Sequence, residues 1–248
     1  MNFWQSVFLG LVQGLTEFLP VSSSGHLILV SKLFNIQSDL TYDVLLHVGT
    51  LAAVIIVYRQ SIRSLFTRQN SRLLLHLFLA SIPTFVIALA VKLFVPFELL
   101  EKLLPLGFAL TIILLVFSHF SKQTKPKPTL VSSVVTGIVQ GIAVLPGLSR
   151  SGSTISTMSF FGVRKEQCAE FSFLLSIPVI LASAAVEGYH ALSSPLSTSW
   201  LNIAAGVLVA GLTGIVAIKL VQKTLKKANF IGFAFYLTIP LLISLIIL

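Results

Sequence analysis

Gln13-Gly-Leu-Thr-Glu-Phe-Leu-Pro-Val-Ser-Ser-Ser-Gly-His26 is the stretch whose reading decides how this chain folds. It carries a carboxylate, three successive hydroxyls, an imidazole, a proline and two glycines inside an otherwise apolar run. A second stretch, Val139-Gln-Gly-Ile-Ala-Val-Leu-Pro-Gly-Leu-Ser-Arg-Ser-Gly152, repeats its plan. Val-Gln-Gly recurs, then Leu-Pro, then a serine-rich turn that ends in glycine. The first copy holds an acid, Glu17, and the second a base, Arg150.

Around these two stretches the chain is greasy. Apolar residues make up 55% of it and charged residues 10%, where a soluble domain is about a quarter charged. Long apolar runs follow one another, which predicts a polytopic, all-α membrane protein rather than a β-barrel with its short alternating segments. The start of the chain, Met1 to Gln5, lacks a basic residue and does not read as a cleaved signal peptide. Cys168 is the sole cysteine, which excludes an internal disulfide and a cysteine-based metal site. The net charge of +9 does not point to nucleic acid, because the basic residues sit in short loops between apolar runs.

Six runs read as full spans: 42–58, 73–95, 99–120, 168–189, 200–221 and 230–248. Two segments, 3–34 and 130–162, are apolar but interrupted, the first by Pro20 and Gly25, the second by Pro146, Gly147 and Gly152. Asp39, Thr41 and Asp43 read as a helix start. Arg59, Arg63, Arg68 and Arg72 fall in one loop, Lys122, Lys125 and Lys127 in another. Arg164 with Lys165, and Lys219, Lys223, Lys226 and Lys227, fall in two more. The intervening loops hold Lys32, Lys92 and Lys102 or no basic residue. The rich side is cytoplasmic by the positive-inside rule. Each broken segment then leaves on the side it entered, as a re-entrant helical hairpin. Each half is one hairpin plus three spans, and three is odd, so the halves are inverted relative to one another. The expectation is a single integral membrane domain over 1–248. It comprises six transmembrane helices and two re-entrant hairpins in an inverted-topology repeat, with halves 1–121 and 129–248.

The chemistry concentrates at the two interruptions. An ionisable residue at membrane depth, such as Glu17, is a functional candidate by default. Ser22, Ser23 and Ser24 follow Pro20 as a helix start. Such a start offers free amides and a positive dipole end to an anion, and a serine there can attack a phosphorus centre those amides hold. His26, three residues after Ser23, is spaced to take its proton. Arg150, between Ser149 and Ser151 at a second helix start, suits phosphate oxygens because its planar fork stays charged when buried. A structural Glu17–Arg150 pair is compatible with these roles. His47, His76, His119 and His190 are scattered without metal-ligand spacing, and Lys92 and Glu187 lie near span ends.

The two stretches, together with Phe171-Ser-Phe-Leu-Leu-Ser-Ile-Pro178, resemble the signatures of the undecaprenyl-diphosphate phosphatases, the BacA-type bacitracin-resistance family. The resemblance implies hydrolysis of undecaprenyl diphosphate to undecaprenyl phosphate and inorganic phosphate. That reaction recycles the lipid carrier for cell-wall synthesis and confers bacitracin resistance. It implies the bacterial cytoplasmic membrane and a site open to its outer face. It casts Glu17 as the motif carboxylate, Ser23 as nucleophile, His26 as its proton-transfer partner and Arg150 as the diphosphate clamp. Gln13, Ser22, Ser24, Ser149 and Ser151 are expected to bind substrate. Gln13 stands where many members have glutamate. A divalent cation, Mg2+ or Ca2+, is then expected to rely on Glu17 and the substrate's own oxygens. The expected partners are a polyprenyl diphosphate and membrane lipids, with a homodimer among the expected assemblies and no nucleic acid. The rival reading is a transporter or flippase of a polyprenyl phosphate or other anion, since inverted repeats with broken helices also build transporters.

Overall fold

The structure is a computed structural model that describes residues 1–37, 40–68, 70–122, 124–193, 198–226 and 230–248. Asp39 and Lys227 lie outside the described residues. The described residues are all-helical. In chain order the helices are α1 (Phe3–Phe18), α2 (Ser23–Leu33), α3 (Leu40–Val57), α4 (Arg59–Leu65), α5 (Ser71–Phe94) and α6 (Phe97–Lys102). They continue as α7 (Leu104–His119), α8 (Leu130–Ile142), α9 (Arg150–Phe160), α10 (Lys165–Ser193), α11 (Trp200–Lys226) and α12 (Ile231–Ile247).

Both interrupted segments are built alike. Asn2 opens α1 and Thr129 opens α8, each in a reciprocal capping box with the residue three positions on. The chain leaves α1 at Leu19, which is extended at ψ 143°, as the residue before a proline prefers. Ser22 then opens α2 in the left-handed region at φ 67°, its hydroxyl accepting the Gly25 amide at 3.3 Å. In the second segment Gly147 takes φ 83°, and Ser149 caps α9 by accepting the Gly152 amide at 3.0 Å.

Ser71–Phe94, Lys165–Val186 and Trp200–Thr224 are long and apolar enough to cross a membrane. Thr41–Val57 and Arg59–Leu65, bent by 76°, make a fourth span when taken together. Leu104–His119, Leu130–Ile142 and Ile231–Ile247 are shorter apolar helices. The expected run at 99–120 is divided, because Pro105 sits in the first turn of α7 and has no N–H with which to continue α6. The outer surface carries exposed Leu, Ile, Val and Phe along α5, α11 and α12, the composition of a face that meets hydrocarbon.

The packing has a mirrored logic. The first arm of one broken segment, α1, lies on α11, and its counterpart α8 lies on α5. Helix α3 packs on α10 and α11, and α7 on α12 and α9. The two long contacts are made through glycine. A Cβ on Gly14 would come 2.4 Å from the Ala210 carbonyl oxygen, and one on Gly137 would come 2.0 Å from that of Ala80. Such close backbone approach is how helices associate in lipid, where apolar burial no longer drives them together. Gly137→Ala is therefore expected to lower stability in detergent by about 1–3 kcal/mol through overpacking. Gly232→Ala, where a Cβ meets nothing within 4 Å, is expected to be neutral. Paired thermal melts of the two variants check this.

Candidate active site

The breaks in α1–α2 and α8–α9 put their polar residues on common ground. Glu17, in the last turn of α1, is buried. Its Oε2 accepts from Gln13 Nε2 at 2.9 Å, one turn earlier on the same helix, and from the Ser23 hydroxyl at 2.6 Å. Its Oε1 accepts from Arg150 Nη2, contributed by the other broken segment. A second guanidinium nitrogen, Nη1, reaches the Ser172 carbonyl at 3.5 Å. The expected juxtaposition of a serine from one half and an arginine from the other is thus present, joined through one carboxylate.

Further contacts hold the tips together. The Ser151 hydroxyl donates to the Leu19 carbonyl at 3.1 Å, tying the start of α9 to the end of α1. The Ser149 amide donates to Thr111 Oγ1 at 2.9 Å, and that hydroxyl reaches the Gly147 carbonyl at 3.0 Å. A Cβ on Gly25 would meet the Phe108 ring at 2.6 Å and the Gly147 Cα at 3.1 Å. The two turns therefore approach at backbone distance.

Beside these groups lies a cavity of about 220 Å³ lined in part by Glu17, Ser22, Ser23, Ser24, His47, Ser149 and Arg150. Ser22 and Ser24 lie 3.4 Å apart, Ser149 and Ser151 3.3 Å apart, hydroxyl to hydroxyl. The arrangement suits an anionic, oxygen-rich group. Hydroxyls and a guanidinium gather at two helix N-termini, and a carboxylate accepts from the Ser23 hydroxyl.

Two expected residues stand behind the cavity wall. Gln13 is fully buried and acts on Glu17. His26 does not bond to Ser23. Its Nδ1 donates to the Ser22 carbonyl at 2.8 Å, which leaves Nε2 to accept from the Tyr236 hydroxyl, also at 2.8 Å. The imidazole stacks on the Tyr236 ring at 5.6 Å and 8°, with Phe108 edge-on at 5.8 Å. Both ring nitrogens are thus committed, Nδ1 to the left-handed Ser22 turn and Nε2 to Tyr236 on α12, and the carboxylate of Glu17 is the group bonded to Ser23.

Sequence reasoning missed three residues. His47 lines the cavity and its Nε2 lies 3.4 Å from Glu17 Oε2, while Nδ1 bonds to the Asp43 carbonyl. Its signal was its depth in an apolar run, outweighed by the lack of a neighbouring ligand pattern. Gln140, the counterpart of Gln13 in the repeat, also lines the cavity and donates to Thr84 Oγ1 at 3.3 Å. Tyr236 had no signal, being 210 residues from its partner.

The donor set does not by itself build a divalent-cation cage. Among the described residues no group of three or more His, Cys, Asp or Glu is placed to hold a metal. Glu17 has both oxygens taken by protein donors, and Gln13 supplies an amide where a second carboxylate would stand.

These features define a class: an all-helical, membrane-compatible protein with a buried polar site where two broken helices meet. The chain belongs to the family described as bacitracin resistance protein BacA, which its residues 6–242 match. It is 39% identical to the undecaprenyl-diphosphatase of Treponema denticola, over 97% of this chain and 95% of that protein. It is 36% identical to the undecaprenyl-diphosphatase of Carboxydothermus hydrogenoformans, over 96% and 95%. For the undecaprenyl-diphosphatase of Halothermothrix orenii the identity is 37%, over 95% and 94%.

Arg150→Ala leaves the buried Glu17 charge without its cationic partner and is expected to cost about 3–5 kcal/mol. Glu17→Gln combined with Arg150→Met removes both charges and is expected to recover most of that loss. Melting temperatures of the single and double variants give the comparison.

Proposed function

We propose that this protein hydrolyses undecaprenyl diphosphate to undecaprenyl phosphate and inorganic phosphate. One observation carries the reading: the Ser23 hydroxyl is hydrogen-bonded at 2.6 Å to a carboxylate that is itself bonded to Arg150. A nucleophile, the group that takes its proton and a phosphate-binding cation occupy one site. Whole-length similarity to undecaprenyl-diphosphatases supports the same substrate. The enzyme sits in the bacterial cytoplasmic membrane, its site reached from the outer face, and returns the lipid carrier to cell-wall synthesis.

The proposed architecture is two inverted halves, 1–121 and 129–248, each a re-entrant hairpin plus three spans, within one membrane domain. It is supported by the mirrored packing of α1 on α11 and α8 on α5, and by the twin capping boxes. It is supported further by Tyr42-Asp-Val-Leu-Leu-His-Val-Gly49 in α3, which parallels Phe171-Ser-Phe-Leu-Leu-Ser-Ile-Pro178 in α10.

The isoprenoid tail lies against the apolar helices and the diphosphate enters the cavity. Arg150 exchanges its bond to Glu17 for the phosphate oxygens, aided by the amides at the starts of α2 and α9. This frees Oε1 of Glu17 at the moment a base is needed. The Ser23 Oγ attacks the terminal phosphorus as its proton passes to Glu17. The Oγ–P bond forms, the anhydride P–O bond breaks, and undecaprenyl phosphate leaves with the electron pair. Water then attacks the phosphoserine, the P–Oγ bond breaks, and Glu17 returns the proton to Ser23 as phosphate is released. Stabilisation of the transferring phosphoryl group by Arg150 and the amides is the largest contribution. His26 and Tyr236 act as positioning residues that keep the Ser22 turn in place. Glu17 is the carboxylate that would help hold a divalent cation, Mg2+ or Ca2+, which would supply charge neutralisation to the diphosphate oxygens.

Phosphate release from a polyprenyl diphosphate by the detergent-purified protein tests this. Ser23→Ala and Arg150→Ala are each expected to lower it by at least about a hundredfold, and rapid acid quenching of the wild type is expected to trap phosphoserine at position 23. Near-normal turnover by Ser23→Ala would sink the mechanism. Calorimetry with Mg2+ is expected to give heat only when a diphosphate is present.

A further inference from the structure

A second polar cavity, of about 550 Å³, opens where α3 bends into α4, between the start of α10 and the end of α11. It lies well away from the first. Along α3 its lining begins ten residues beyond His47, and along α10 it ends nine residues before Val179; at 1.5 Å per residue that is about 15 Å. Lys219 and Lys223 line it one turn apart on α11, and Glu166 and Glu170 line it one turn apart on α10. Among the described residues none of these four forms an ion pair. Charges of both signs therefore face one space without neutralising each other. The floor is the buried Tyr58, whose hydroxyl accepts from Gln222 Nε2 at 3.0 Å.

Beside the cavity α3 and α11 present exposed Ile55, Ile56, Val216 and Leu220, apolar surface on the helices that carry the basic loops. A ligand held there meets lysines and glutamates at its head and hydrocarbon-compatible side chains alongside. An anionic headgroup would leave two carboxylates unmatched, and a cation would leave two ammonium groups. A trimethylated ammonium has no N–H to give the carboxylates. We propose that this cavity binds the headgroup of a phospholipid bearing both a phosphate and a primary ammonium, of the phosphatidylethanolamine type. The phosphate lies against Lys219 and Lys223, and the ammonium against Glu166 and Glu170. The inference depends on the helices lying in a membrane and not on the phosphatase chemistry.

The test is native mass spectrometry of the full-length protein released from nanodiscs that contain equal amounts of phosphatidylethanolamine and phosphatidylglycerol. The wild type is expected to retain phosphatidylethanolamine over phosphatidylglycerol by about fivefold, the scale of two partly solvated ion contacts. Lys219→Gln/Lys223→Gln and Glu166→Gln/Glu170→Gln are each expected to abolish the preference, and Lys219→Arg/Lys223→Arg to keep it. Phosphate release by all three stays at the wild-type level, because none of these residues touches the Glu17 cavity. Free glycerophosphoethanolamine at the lipid's concentration is expected not to displace it. Equal retention of the two lipids by the wild type, or a preference that survives both charge-removing pairs, overturns the proposal. Displacement by the free compound overturns the assignment to a lipid.

Discussion

One buried carboxylate organises this protein. Glu17 takes donors from its own helix, from the following turn and from the opposite half of the chain. A charge at that depth is expensive unless it is paired and hydrogen-bonded, so the rest of the fold has to deliver those donors accurately. Two helices must stop short, their severed ends must face each other, and Arg150 must arrive from about 130 residues away in the sequence. The proline breaks, the serine caps and the glycine contacts at the tips all serve that requirement.

In the proposed mechanism the same pairing turns a resting site into a reactive one. While Arg150 is bonded to Glu17 the carboxylate is satisfied. An incoming phosphate competes for the guanidinium and leaves the carboxylate facing a hydroxyl it already touches. Binding and activation are then one event, and no separate trigger has to be built.

Much of this was legible in the sequence because it is local. Pro20 and Pro146 cannot continue a helix, serines next to them cap the following one, and repetition of the motif marks the two turns as equivalents. Charge in short loops predicts a sidedness, because orientation in a membrane is governed by loop charge rather than by tertiary detail. What was not legible depends on how helices rotate against one another. Ser23 and His26 are three residues apart, a spacing that allows contact but does not require it. The imidazole turns instead to α12, where it meets Tyr236, and Glu17 is the group bonded to Ser23. His47 reads as an isolated histidine until α3 is packed on α10 and α11. The division between α6 and α7 was written in Pro105, masked by the apolar character of its neighbours.

The meeting of Gly25 with Gly147 has a consequence for how such a chain can change over time. A Cβ at Gly25 would strike the Phe108 ring and crowd the Gly147 backbone, and one at Gly147 would strike the Leu104 carbonyl and the Phe108 amide, so α7 and the facing turn together hold both positions to glycine. Divergence between the halves is channelled outward, into loops and lipid-facing surface. Gly14 and Gly141, and Gly25 and Gly152, hold matching places in the two copies with no free room for a Cβ, and there the echo remains audible in the primary structure.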